Sequence, residues 1–176
     1  MTNNIIIRPA TPKDAEALQA IYSYYVNCTA VSFEYDAPTV EEFKRRVKDI
    51  SLSYPYLVAE DSVAGRIIGY AYASPLSERK AYLLAACSSI YLDRTQRHKG
   101  LGTLLEEALE EKLRVRGIRN LYACIATAAQ PDEYLTFDSQ NFHRRMGFVE
   151  VGHFHECGLK FGKWYDVLWM EKKLIK

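Results

Sequence analysis

The stretch "DRTQRHKGLGTLLEEALEEKLRVRG", residues 93–117, sets a basic cluster and two glycines at the mouth of an amphipathic run. The first backbone N–H groups of a helix have no partner inside it, and the helix dipole is positive at that end. Glycine lets backbone come close to a ligand. Arg94, Arg97, His98 and Lys99 add positive charge beside Gly100 and Gly102, so the arrangement suits a phosphate or pyrophosphate. A tight turn before a helix is the alternative. There is no GxxxxGK[ST] loop and no GxGxxG fingerprint, so this is neither a P-loop nor a dinucleotide turn.

Other residues could move protons or hold ligands. His143, in "FHRRMGF", carries an imidazole able to give or take a proton near neutral pH; an exposed helix face is the plainer reading. Cys87 sits in "YLLAACSSIYL", where no carboxylate occurs from Leu83 to Tyr91. A thiol is a poor base unless its pKa is depressed, and small thiols mostly pack. Arg79, in "SERKAY", could fork onto a carboxylate or lie solvated on the surface. His153, His155 and Cys157 alternate, which a strand would place on one face. Zinc wants four ligands and a fourth is not evident, so no metal is expected.

The elements that must position these residues follow from periodicity. "NIIIRPA" reads as a strand. "TPKDAEALQAIYSYYVN" reads as a helix with Leu18, Ile21, Tyr22 and Tyr25 on one stripe. "TVEEFKRRVKDI" reads as a second helix, with Thr39 and Glu42 at capping-box spacing and Phe43, Val47 and Ile50 on one face. "YPYLVAE" and "RIIGYAYASP" are strands around the turn "DSVAG", and "CSSIYLD" is another strand. Residues 100–116 are a helix with Leu101, Leu104, Leu105, Ala108, Leu109 and Leu113 inward. Glu106, Glu107, Glu110 and Glu111 lie mostly on the opposite face, and Gly117 ends the helix. "NLYACIA" is a strand and "DSQNFHRRM" a short helix closed by Gly147. "FVEVGHFHECG" and "WYDVLWMEKKL" finish as strands. The order β-α-α-β-β-β-α-β-α-β-β mixes hairpins with crossovers, which predicts an α/β (α+β) fold with a mixed sheet covered by helices.

The totals exclude several classes. At 176 residues without repeats or linkers, the chain is expected to form one domain, 1–176. A net charge of +1 gives no field for nucleic acid or an anionic membrane surface. No apolar stretch is long enough to span a bilayer. The four cysteines form no CxxC pair and read as reduced thiols of a cytoplasmic protein.

"RHKGLG" (Arg97 to Gly102) matches the (Q/R)-x-x-G-x-(G/A) motif of the GCN5-related N-acetyltransferases. With "IIIRPATPKDAEALQAIY", "YPYLVAE", "GYAYASPLSERKAY", "SIYL", "FHRRMGF" and "KFGKWYDVLWMEK", nearly the whole chain resembles that family's phosphinothricin-acetyltransferase-like branch. The resemblance implies two parallel strands, "SSIYLD" and "NLYACIA", splayed into a V, about four helices, and acetyl-CoA as co-substrate. Its pantetheine arm would lie on Ile90, Tyr91 and Leu92, and its pyrophosphate on Arg97, His98, Lys99, Gly100, Leu101, Gly102 and Thr103. Thr136 stands where the family usually has a cofactor-contacting asparagine. His143 would act near the thiol.

The branch carries a glutamate base where this chain has Cys87. Three readings follow: the base is a water chain or His143, the acceptor amine needs little help, or activity is lost and the fold serves as a CoA-binding or interaction module. Phe33 and Glu34, in "TAVSFEYDAPT", would wall the acceptor pocket, Arg79 would anchor a carboxylate and Tyr82 would order the amine. The implied acceptor is a small amino-acid-like amine; a protein or peptide amine is the alternative. The C-terminal strand, through Trp164 and Tyr165, is expected at a homodimer interface. The acidic 126–141 stretch is expected to tune the acceptor site.

Overall fold

The computed structural model describes residues 4–96 and 100–175. Expectations for Arg97, His98 and Lys99 therefore lie outside the described residues. The elements are β1 (Ile5–Pro9), α1 (Ala15–Cys28), α2 (Val40–Ser51), β2 (Tyr56–Asp61), β3 (Arg66–Pro75), β4 (Ala85–Leu92), α3 (Leu101–Val115), β5 (Asn120–Thr127), α4 (Asp138–Arg145), β6 (Val149–Lys160) and β7 (Lys163–Lys173). The seven strands form one sheet in the order β1-β2-β3-β4-β5-β7-β6. The β4–β5 pair is parallel and every other pair is antiparallel.

Local chemistry explains the elements. Arg8 reaches both Asp14 (2.8 Å) and Glu60 (2.7 Å), tying β1 to the turn before α1 and to β2. Thr39 Oγ1 accepts the Glu42 N–H at 3.2 Å, capping α2 as its spacing predicts. Gly100 (φ +78°) and Gly117 (φ +77°) bracket α3 in left-handed conformations that suit glycine.

The sheet separates two apolar layers. On one side α3 buries Leu101, Leu105, Leu109 and Leu113 against Leu57, Ile68, Leu121 and Met170. On the other, Leu18, Val26, Phe43 and Val47 of α1 and α2 meet Tyr56, Val58 and Tyr70. The α3 stripe is wider than its leucines suggest. Glu106 is fully buried and Glu110 nearly so, contrary to their expected place on the solvent face. The row Gly102–Glu106–Glu110 continues the buried surface. A Cβ on Gly102 would stand 3.1 Å from the Phe142 ring, so that glycine serves helix packing against α4.

Two further expectations fail. A bulge between Phe154 and Gly158, with Glu156 at φ +46°, breaks the alternation of β6. His153 and His155 gather at Asp166, and Cys157 leaves that group to meet the Phe154 carbonyl. Tyr165 is 1% exposed and donates to Asp132 at 2.9 Å, so it is a core residue and no interface residue; Trp164 beside it stays exposed.

Replacing Leu105 by Ala should destabilise the fold by about 3 kcal/mol, because the rigid α3–sheet layer cannot collapse around the lost methyls. Urea denaturation checks this through a lower midpoint at unchanged slope.

Candidate active site

The central strands part early. β4 and β5 pair only from Ala85↔Asn120 to Ser88↔Ala123. Beyond that point β4 continues to Leu92 held by β3 alone, and β5 continues to Thr127 held by β7 alone. The facing edges from Ser89 and Cys124 onward thus lack a partner strand. The cleft between them encloses about 50 Å³ and is lined by β4 from Ser88 to Tyr91, β5 from Ala123 to Ala126, and Ser139 and His143 of α4. Buried backbone groups require partners, and an extended amide-bearing chain can supply them as an added strand would.

The residues of β4 divide between the two faces. Tyr91 sends its ring into an aromatic cluster with Tyr22 (4.9 Å), Tyr25 (5.2 Å) and Tyr70 (5.4 Å), so only its backbone is available to a ligand. Leu92 has its carbonyl bonded by the Tyr25 hydroxyl at 2.7 Å. Ile90 packs toward the α3 layer. Past β4 the chain turns through Asp93, which holds the Thr95 N–H at 2.8 Å, to Gly100 and the bare N-terminus of α3. Leu101 is a core side chain, leaving its backbone at the helix mouth. Thr103 borders a separate open hollow of about 560 Å³ between α3 and α4, whose Glu110, Arg114 and Lys172 satisfy one another.

His143 comes to the cleft wall, 3% exposed. Its Nδ1 lies 2.8 Å from the Ser139 carbonyl, which can only accept, so Nδ1 carries the proton. Nε2 is then a bare lone pair, buried and without a partner among the described residues. Burial among Phe142 and Phe148 pushes the pKa down to about 4, opposed by the Ser139 carbonyl. His143 is thus a neutral hydrogen-bond acceptor at neutral pH. Of the two roles left open by the sequence, giving or taking a proton, the neutral tautomer with a bare Nε2 fits only the accepting one.

Cys87 is corrected as a catalytic residue. Burial, then the neighbouring Cys124 thiol, pushes its pKa up to about 11, and it does not line the cleft. A thiol so protonated is neither a base nor a nucleophile.

The acceptor residues fare unequally. Phe33 rests its ring on Gly158, beside Tyr165 and the Val31 that lines the cleft. Glu34 pairs with Arg46 at 3.0 Å. Arg79 and Tyr82 lie exposed on the β3–β4 connection and outside the cleft lining. Thr136 is exposed and accepts the Asp138 N–H at 3.4 Å, at the turn into α4.

Three residues escape the sequence pattern. Lys160 is 2% exposed and donates to the Val26 and Ser32 carbonyls at 2.7 and 2.6 Å, clamping the loop that carries Phe33; burial lowers its pKa. Ser88 and Glu106 are buried, and the Ser88 hydroxyl and both Glu106 oxygens lack a hydrogen-bond partner among the described residues. Burial first, then Glu110, pushes the Glu106 pKa up to about 7. The Ser88 hydroxyl and Lys172 favour the charged form, although Ser88 does not meet the carboxylate in hydrogen-bonding geometry. The glycine one turn earlier was the only sequence hint that this row is packed.

His153, His155 and Asp166 bring donor atoms within 4.8 Å of one another at the surface, with the two rings stacked at 4.3 Å. His153 Nε2 and Asp166 already bond at 2.8 Å.

The sequence matches the Acetyltransferase (GNAT) domain model over residues 7–169. This chain belongs to the GNAT family. It is 33% identical to a phosphinothricin N-acetyltransferase of Streptomyces coelicolor, over 98% of each chain. It is also 33% identical to an L-methionine sulfoximine/L-methionine sulfone acetyltransferase of Pseudomonas aeruginosa, over 96% of this chain and 94% of that one. Among solved structures, a Sinorhizobium meliloti phosphinothricin acetyltransferase in complex with AcCoA superposes with a TM-score of 0.87 at 32% identity, covering 97% of this chain and 88% of that one. The GNAT chain described here is accordingly an acyltransferase of the N-acetyltransferase type.

Two outcomes follow from the titrations. Cys87→Ala should keep turnover within a few-fold of the parent, measured by thiol release, because a neutral thiol contributes no proton acceptor. A carboxyl whose folded pKa is raised adds stability below its unfolded value near 4.5, and that stability is lost as pH rises through about 7. Glu106→Gln, which removes the buried charge, should therefore leave Tm nearly unchanged at pH 5 and raise it at pH 8.5, with unfolding stability there higher by on the order of 1–3 kcal/mol.

Proposed function

We propose that the chain, as one unit of residues 1–176, transfers the acetyl group of acetyl-CoA to the amine of a small amino-acid-like substrate by direct attack in a ternary complex. The observation that carries this reading is the pair of unpartnered strand edges opening onto the bare N-terminus of α3. The pantetheine amides would pair with the β4 edge at Ile90 and Tyr91. The pyrophosphate would meet the backbone N–H groups from Gly100 to Thr103, with charge from Arg97, His98 and Lys99. Thr136 would touch the cofactor near α4. Phe33 and Val31 would wall the amine, with Glu34 held back by Arg46; Arg79 and Tyr82 would have to reach in from the β3–β4 connection. His143 would accept a hydrogen bond near the reacting centre. The named relatives acting on phosphinothricin and methionine sulfoximine favour α-amino acids over protein substrates.

We further place the protein in the cytoplasm as a homodimer. No described helix is long and apolar enough to cross a membrane. The edge strand β6 exposes Val149, Val151, Phe154 and Leu159, with Trp164 on β7 beside them. No role for metal, nucleic acid or membrane enters this reading.

Calorimetric titration with acetyl-CoA tests the cofactor half, and thiol release across a panel of α-amino acids and their sulfoximine and phosphinyl analogues tests the acceptor half. Saturable binding with turnover on one class is expected. Binding without turnover on amines or peptides favours a CoA-binding module, and no binding by folded protein removes the transferase reading.

A further inference from the structure

When the amine attacks the thioester, the C–S bond breaks and its electron pair stays on sulfur, which then needs a proton. His143 cannot supply it, since its bound proton points at Ser139 and its cleft-facing Nε2 is bare. Cys87 is off the cleft wall. Glu106 is not part of that wall either, but it lies behind one of its residues, Ser88.

Glu106 sits wholly buried on the inner row of α3, its two oxygens unpartnered, beside the Ser88 hydroxyl. Ser88 is the last β4 residue paired to β5, buried and unpartnered, and it lines the cleft where the strands part. It lies two residues from Ala86 and from Ile90, both packed into the α3 layer, so it faces that layer too. Phe142 closes α4 onto α3 at Gly102, one turn before Glu106, which sets His143 on the same side of the sheet. The orphaned atoms Ser88 Oγ, both Glu106 carboxyl oxygens and His143 Nε2 thus gather on one flank of the splay.

We propose that Glu106 holds the proton that reaches the departing CoA sulfur, passed through the Ser88 hydroxyl. This rests on the acetyltransferase reading above. The two side chains do not meet in hydrogen-bonding geometry at rest, so the Ser88 hydroxyl first turns onto the carboxyl; as the N–C bond forms and the C–S bond breaks, it then gives its proton to sulfur and takes the Glu106 carboxyl proton. Glu106 is left as a carboxylate and the product as CoA thiol. The amide nitrogen sheds its extra proton to solvent, and solvent reprotonates Glu106 before the next turnover. Ser88 touches the reacting atoms; Glu106 acts through it. A carboxylic acid titrating near 7 passes its proton readily to a thiolate whose ordinary pKa is about 8.5. The charged groups that set Glu106 are Glu110 on α3, which favours the neutral form, and Lys172 on β7, which opposes it; His143 on α4 is neutral, and β1, β2 and β3 present apolar side chains to α3.

The test compares kcat and KM for acetyl-CoA from pH 5.5 to 9 in the parent, Glu106→Gln and Ser88→Ala. Glutamine keeps the shape and cannot give the proton. The parent should lose kcat as pH rises through about 7, once the amine is held saturating as its neutral form. Both variants should be at least about tenfold slower at pH 6.5, with KM for acetyl-CoA within twofold and no loss of rate above pH 7. The infrared carbonyl band of a buried protonated carboxyl should be present in the parent at pH 6 and absent from Glu106→Gln. A parent that turns over while Glu106→Gln keeps its rate and pH profile overturns the role of Glu106 alone. A parent that binds acetyl-CoA and transfers nothing overturns both this role and the transferase reading. A missing carbonyl band overturns the proposal whatever the rates.

Discussion

Two neighbouring strands, β4 and β5, run parallel for four residue pairs and then separate, and most of the site hangs on that separation. An interior strand that loses a neighbour leaves backbone donors and acceptors unmet, which is costly unless something else meets them. The cost is tolerable because each strand keeps its other partner along its full length: β4 stays on β3 to Leu92, and β5 stays on β7 to Thr127. Aromatic packing of Tyr91 against Tyr22, Tyr25 and Tyr70 pins β4 from one face, and the Tyr25 hydroxyl fixes Leu92. The opening is therefore a rigid slot, built before any ligand arrives. Rigid preformed slots spend little binding energy on ordering themselves.

The two flanks of that slot differ in chemistry. Toward α3 and α4 stand polar groups that burial has driven toward neutrality, His143 downward and Glu106 upward. Their effects on stability oppose each other in pH. The neutral imidazole stabilises the fold above about 6.5 and loses that advantage as pH falls through about 4; the neutral carboxyl loses its advantage as pH rises through about 7. Groups kept neutral and unpartnered in the interior are expensive to retain for packing alone, which is why a proton-handling role explains them better than a structural one.

Much of the fold is legible in the sequence because hydrophobic spacing decides it. Leu18, Ile21, Tyr22 and Tyr25 are buried as their stripe requires, and Gly117 and Gly147 end their helices with positive φ. The failures are local overrides of those patterns. Charge on a helix usually means solvent, yet α4 and β7 cover the Glu106–Glu110 row. Alternation in β6 breaks at Glu156 because two extra residues enter the ladder between Phe154 and Gly158. Tyr165 follows an exposed tryptophan and still turns inward to Asp132. The site was readable as a family pattern, which names positions but leaves protonation open. Whether His143 donates or accepts depends on one carbonyl, Ser139, and on two phenyl rings.

On the acceptor flank, the absence of a base-like group at Cys87 carries a consequence for substrate choice. Cys87 is a protonated thiol, and the carboxylate of Glu34 is engaged by Arg46. On the transferase reading, with His143 serving only as a hydrogen-bond acceptor, the acceptor would arrive with its amine already neutral. Chain-terminal α-amino groups titrate near about 8 and lysine side chains near about 10.4, and the amine of a free α-amino acid, beside its own carboxylate, lies between them, so at neutral pH the lysine side chain has the smallest fraction ready to attack. On the transferase reading, reactive fraction alone would thus set lysine side chains below α-amines. Lys160 fixes the Val26–Ser32 loop and the Phe33 ring packs on Gly158, so the segment proposed to wall the amine is held in one place. On that reading, selectivity would rest first on what the amine's own chemistry provides.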